Sequence, residues 1–163
     1  MVQRGMGCLG TIVFLTVFTL VGGSLSYFGW GFVQEAQASA TWPSTPGEIT
    51  WSQVSVDSDS DGTTYGADIG FEYVVRDRLY TGDRVTVLEV SSSSLSRAQN
   101  IVNQYPVGEQ VTVYYNPDNP EASVLEAGTQ PSSYFIFAIG LCFLCVPALA
   151  FPTILIRAVL GLA

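Results

Sequence analysis

Residues Gly108–Glu126, GEQVTVYYNPDNPEASVLE, decide how the chain is read. Val111, Val113 and Tyr115 alternate with Gln110, Thr112 and Tyr114. That period of two puts one apolar row on a single face of a sheet. Asn116-Pro117-Asp118-Asn119-Pro120 then turns the chain, because proline fixes φ and asparagine side chains cap their own backbone. Ser123–Glu126 follows as a short last strand.

Upstream, the pattern supplies partners for that strand pair. Glu48–Val56 reads as a first strand whose parity changes, since Ile49 and Trp51 share one side and Val54 and Val56 the other. This predicts a bulge near Ser52-Gln53. Asp57–Thr64, DSDSDGTT, reads as a turn. Tyr65–Val75 alternates without a break, and Arg76-Asp77-Arg78 is short enough for a hairpin. Leu79–Val90 reads as a third strand with a kink at Thr81-Gly82-Asp83. Ser94 suits a helix N-cap. Leu95, Ala98, Ile101, Val102 and Tyr105 then recur at helical spacing until Pro106 and Gly108 stop the helix.

The order is β-β-β-α-β-β. It predicts a small five-stranded barrel, OB-like or SH3-like, with an open curved sheet carrying one helix as the alternative. Residues 42–128 would be this β-domain.

The two ends are of different composition. Gly7–Val33 and Tyr134–Ile156 contain no charged residue. Each exceeds the roughly 20 residues needed to cross a bilayer core. The expected plan is a tail over 1–6, a first transmembrane helix over 7–33, and a polar stalk over 34–41. After the β-domain come a linker over 129–133, a second transmembrane helix over 134–157 and a tail over 158–163. Tyr27, Trp30 and Phe32 suit the interface at which the first helix leaves the bilayer. Small-residue cleavage patterns at Ala36-Gln37-Ala38 and Ala38-Ser39-Ala40 offer a signal peptide as the alternative, but the apolar run exceeds a usual signal core of about 7–15 residues.

Charge sets the expected orientation. All fourteen acidic residues lie between the apolar runs, with four arginines, so the middle carries −10. Arg4 and Arg157 lie beyond the far ends. Positive residues near span ends stay cytoplasmic, which predicts cytoplasmic termini and an extracytoplasmic acidic domain. Arg157 is expected to snorkel to the interface. Pro147 and Pro152 are expected to kink the second helix. Zero lysines and a −10 domain would also suit a high-salt habitat, where self-repulsion is screened.

Function classes narrow accordingly. The chain has no histidine and no lysine, which removes the commonest general base and Schiff-base chemistry. The serine run Ser91–Ser94 has no evident base beside it. No enzyme is expected, and no nucleic-acid partner, since phosphate binding needs a basic surface. Cys8, Cys142 and Cys145 all lie outside the β-domain, which therefore has no disulfide framework. Ala138, Cys142 and Cys145 form a small-residue stripe, matched by Thr16, Thr19, Gly23 and Ser26, and such stripes let membrane helices approach. The aromatics of the β-domain are expected in the core, with Tyr114 pointing the other way.

One motif resembles a ligand loop. Asp57, Asp59, Asp61, Gly62 and Asp68 fit the D-x-D-x-D-G-x5-acid spacing of a calcium site. Carboxylates on alternate residues can converge on one hard cation. Against it, the flanks read as strands and Asp68 sits within one. The same residues also suit a plain solvated turn.

Taken together, Trp42-Pro43 with Gly47-Glu48-Ile49, the DSDGTTY and FEYVV segments, Tyr80-Thr81-Gly82, Tyr105-Pro106 with Gly108, and VYYNPDNPEASVLE resemble the family called domain of unknown function 3592. The resemblance covers about Trp42–Glu126. It departs at Gly66-Ala67, where the family often has a proline after the tyrosine, and at Asp77, where it often has glycine. The resemblance implies a membrane-bound protein and supplies no catalytic residues. The expected role is a non-enzymatic interaction or accessory module for an unknown membrane or envelope protein, with the lipid bilayer as its setting. A calcium-responsive sensing module is the alternative, and an enzyme of unknown type the third.

Overall fold

The computed structural model describes residues 3–60, 62–89 and 91–160, and the side chains of 10–150 within that range together with Pro152. The chain forms two compact units, one of Val33–Ser132 and one of the remaining residues.

The first unit is a five-stranded antiparallel sheet in the order β3-β2-β1-β4-β5. The strands are β1 Ser44–Asp59, β2 Gly62–Val75, β3 Arg78–Gly82, β4 Gln110–Tyr115 and β5 Ser123–Val124. The sheet is open, so the barrel expectation is corrected in favour of the open sheet with one helix. Its two edges are nonetheless tied just past their ends: Leu125 N donates to Arg84 O and Glu126 N to Val85 O. Two backbone bonds outside the ladders do not make a closed barrel, which needs continuous strand pairing around the ring.

β1 and β2 form the spine. Their ladder runs from Gly47↔Tyr73 to Asp59↔Gly62, with one bulge between Ile49 and Trp51. The bulge therefore falls at Thr50, not near Ser52-Gln53. The extra residue puts Ile49 and Trp51 on opposite faces, so Ile49 is buried while Trp51 stays 45 % exposed. The Trp51 indole lies against Gly70, where any Cβ would collide with its ring. The predicted turn at Asp57–Thr64 is mostly ladder, since Asp57 pairs with Thr64, Ser58 with Thr63 and Asp59 with Gly62.

At the other end of β2, Val75 pairs with Arg78 across a two-residue turn. Arg76 and Asp77 both have positive φ, 51° and 61°. That is the backbone of a type I′ hairpin, whose twist matches the strands it joins. β3 ends at Gly82, and 83–89 has no regular structure, so the predicted third strand is cut short there. Val90, its predicted end, lies outside the described residues.

Helix α2, Leu95–Gln104, begins after Ser94 as expected, but the Ser94 hydroxyl makes no capping bond. It pairs instead with Ser96 Oγ at 3.0 Å. Ala98 is buried, and Ile101, Val102 and Tyr105 pack against the core of Ile49, Ile69, Phe71, Tyr73, Val75, Val85, Val113 and Leu125. Tyr73 also stacks on Tyr80, ring centres 5.8 Å apart. Phe71 and Tyr73 are thus core residues and do not line a groove.

The helix that opens the chain, α1 Gln3–Ser39, takes in what the sequence presents as a stalk. Val33, Ala36 and Ser39, spaced i, i+3, i+6, are fully buried in the sheet unit. Ser39 Oγ donates to Ala36 O at 2.8 Å and accepts from Gly128 N at 2.8 Å.

In the second unit, α1 up to Phe32 packs on α3, Phe135–Leu160. A Cβ on Gly29 would collide with the Phe137 backbone, and one on Gly140 with Ser26. Gly22 faces Gly140 O. Phe18 stacks on Phe143, ring centres 5.2 Å apart. The seam is therefore Gly22 and Ser26 against Gly140 and Gly29 against the Phe137 backbone, the close approach that small residues permit. Of the expected stripes only Ser26 takes part. Thr16, Thr19 and Gly23 are exposed, as are Ala138, Cys142 and Cys145. The hydroxyls of Thr16 and Thr19 bond back to Ile12 O and Leu15 O within their own helix.

Gly10–Ser39 and Pro131–Ala150 are helical stretches long and apolar enough to cross a membrane. Only 11 % of each apolar window is buried, unlike the core helix of a soluble protein. Ile12, Val13, Leu20, Phe28, Leu141 and Leu149 all face outward. The Arg157 side chain lies outside the described residues.

Candidate functional site

Asp57 and Asp59 sit near the tip of the β1–β2 hairpin, both exposed. Asp59 Oδ1 accepts from Gly62 N at 3.1 Å, closing the hairpin. Asp61 lies outside the described residues. Asp68 is elsewhere: it pairs with Gln53, four rungs below the Asp57↔Thr64 pair. At about 3.3 Å per residue that is roughly 13 Å. Its carboxylate accepts from Trp51 Nε1 at 2.9 Å and from Gln53 Nε2 at 3.0 Å. Those two bonds, Gln53 first, hold its pKa below the usual 3.8. Strand pairing thus separates Asp68 from Asp57 and Asp59, and no group of three acidic or cysteine side chains among the described residues could hold a metal ion.

A second feature was not legible in the sequence. The irregular 83–89 segment, α2, and the residues after β5 enclose a cleft of about 650 Å³. Ser91, Ser94, Ser96, Asn100 and Gln104 contribute hydroxyls and amides, while Arg97, Glu89 and Glu126 contribute charge. Glu126 is already engaged, accepting from Tyr105 Oη at 3.1 Å and Gln130 Nε2 at 3.4 Å. Burial and the facing Glu126 push the Tyr105 hydroxyl up to about 12, so it stays a donor.

Glu89 is the other carboxylate. Its Oε1 accepts from Val85 N. The residue as a whole is exposed, yet loss of water around the carboxyl raises its pKa above the usual 4.5, against the lowering effect of the Val85 bond. A carboxyl with a raised pKa can hold or release a proton. The serines that line the cleft have no histidine or lysine to activate them, since the chain has neither. The cleft is chemically suited to polar contact, with Glu89 and Glu126 as the carboxylates in its lining.

The aromatic residues do not form a binding row. Tyr114, read as facing away from Val113, is half-buried and pairs with Val124 of β5, itself fully buried.

No curated protein and no solved structure matches the chain. A family match does exist, over residues 45–130, which takes in all five strands but for the first residue of β1, together with α2 and the lining of the cleft up to Gln130. It covers more than half of the chain, and the chain therefore belongs to the family described as Domain of unknown function (DUF3592).

Proposed function

We propose that this protein spans a cell membrane twice and holds its acidic sheet unit on the extracytoplasmic side, where it serves as a non-enzymatic interaction or accessory module of the envelope. One observation carries the reading. Every acidic residue of the chain falls between Glu35 and Glu126, inside a compact unit flanked on both sides by apolar helices. Arg4 and Arg157 flank those helices on their far sides. The bias of arginine toward the cytoplasmic ends of spans then puts both termini inside and the −10 unit outside.

The absence of histidine and lysine weighs against catalysis, as does the engagement of Glu126 by Tyr105 and Gln130. Fold alone assigns no activity, so the interaction role rests on charge and topology. The test is protease added to intact spheroplasts carrying a tag at either terminus. The sheet unit is expected to be cut and both tags spared; cleavage of a tag with the unit untouched overturns the topology. Crosslinking in native membranes should then retrieve a reproducible envelope partner through residues of 42–128.

A further inference from the structure

β1 and β2 are far longer than the strands beside them. β4 pairs with β1 only over Ser44–Glu48, and β3 with β2 only over Phe71–Val75. From Ser52↔Ile69 to Asp59↔Gly62 the ladder continues as eight two-stranded rungs. That makes an arm of roughly 25 Å. Its β2 edge is held near the middle, where Tyr65 and Ser92 exchange both backbone bonds. Along the β1 edge, Gln53–Ser58, no strand pairs among the described residues. Two-stranded ribbons are marginal in water on their own. Sheet edges are normally blunted by charged side chains, lysine above all, by proline or by a bulge. Gln53–Ser58 contains neither lysine nor proline, its one charge is Asp57, and the bulge lies below it at Thr50.

The side chains state which strand would fit. Asp57 and Asp59 share a parity with Gln53, so they fall on the face that carries Asp68. No lysine or arginine occurs between Gln53 and Val75. A second copy added at this edge would bring like charges to within one strand spacing, about 4.8 Å, which is destabilising. A strand with cations at alternate positions would place them beside the two aspartates. Val56, 60 % exposed, offers the opposite face an apolar contact.

We propose that the Gln53–Ser58 edge of β1 accepts an extended, basic segment of another envelope protein as an added strand, with its alternate cationic side chains beside Asp57 and Asp59. Backbone bonds supply affinity and side-chain alternation supplies selectivity, as in other strand additions. The proposal rests on the interaction-module reading and names the chemistry of its partner.

The test uses the full chain in nanodiscs and a ten-residue peptide of alternating lysine and threonine. Amide exchange is expected to slow about tenfold or more at alternate residues of Gln53–Ser58 when the peptide is present, and nowhere on β3. The D57N/D59N chain, whose changes lie on an exposed tip, should lose that protection, as should the native chain in molar salt. A peptide of alternating glutamate and threonine should give none. No protection at this edge, or equal protection by the glutamate peptide, overturns the proposal. If the edge stays bare while membrane crosslinking retrieves a partner elsewhere on 42–128, the arm reading fails and the module reading stands. If the edge is protected but spheroplast proteolysis places the unit inside the cell, the envelope reading fails and the arm survives.

Discussion

Arg84 reaches back to Glu35, its Nη1 3.0 Å from the carboxylate Oε1, and joins the segment after β3 to the last turns of α1. Both side chains keep about a third of their surface in water, 30 % and 33 %. Exposed pairs of this kind contribute about 0.2–1 kcal/mol. Ser39, one turn further along α1, is fully buried and bonds both Ala36 O and Gly128 N. Removing its hydroxyl leaves a backbone donor without its acceptor, a cost of about 1–3 kcal/mol. Ser39→Ala is therefore expected to lower the melting temperature of the full chain in detergent more than Arg84→Ala does. An Arg84→Ala loss larger than the Ser39→Ala loss would show that the visible ion pair, not the buried hydroxyl, fixes this end of α1.

The Arg76-Asp77 turn carries a removable cost. Both residues occupy the left-handed region, where a Cβ is unfavourable and glycine is not. Asp77→Gly is expected to raise stability by about 0.5–1 kcal/mol, read as an increased denaturant midpoint at unchanged slope. A lowered midpoint would mean that the Asp77 side chain makes a contact outweighing its backbone strain.

Much of this architecture can be read from residue pattern alone, and the misreadings have physical causes. Period-two alternation exposed β2 and β4 because one face of each is buried while the other is polar. The same alternation reveals the break in β1 but misplaces it, because it puts Trp51 on the side of Ile49, whereas the bulge between them turns Trp51 across Gly70 on the solvent side. Strand order leaves no trace in periodicity, so barrel and open sheet could not be separated. On α1, two rows of small residues share Ser26, and composition does not tell which row meets α3. The cleft was hidden because 83–89 has strand-like residues without strand pairing, and Leu125 and Glu126 take up its backbone groups instead.

Two carboxylates should respond to pH in opposite senses. Asp68 has a folded pKa below 3.8, so its contribution is present above that value and lost as pH falls through the folded pKa. Its readout is Trp51, whose indole N–H bond to the carboxylate weakens when that carboxylate is protonated. Acid titration of the folded chain should change Trp51 emission, and Asp68→Asn should abolish that step. Glu89 has a folded pKa above 4.5, so ionisation works against the folded state. The neutral form's advantage is complete below the unfolded value and disappears as pH rises through the folded one. Glu89→Gln is therefore expected to be more stable than the native chain at pH 7 and no more stable at pH 4. A Glu89→Gln chain less stable at pH 7 would show that the Val85 bond outweighs desolvation.

The hairpin tip makes a last prediction, about calcium. A calcium loop needs its final acidic ligand to swing onto the same ion as the first ones. Here Asp68 is four rungs away from the Asp57↔Thr64 pair and is held by Trp51 and Gln53. Bringing it to the tip would break two side-chain bonds and the strand pairing between. Millimolar Ca²⁺ is therefore expected to leave the melting temperature of the full chain unchanged beyond the effect of an equal ionic strength of Mg²⁺. Trp51 emission should be equally unmoved, since Asp68 stays where it is. A calcium-specific rise in melting temperature that survives Asp68→Asn would locate a weak site at the hairpin tip that does without Asp68; one abolished by Asp68→Asn would mean the hairpin rearranges to close the loop.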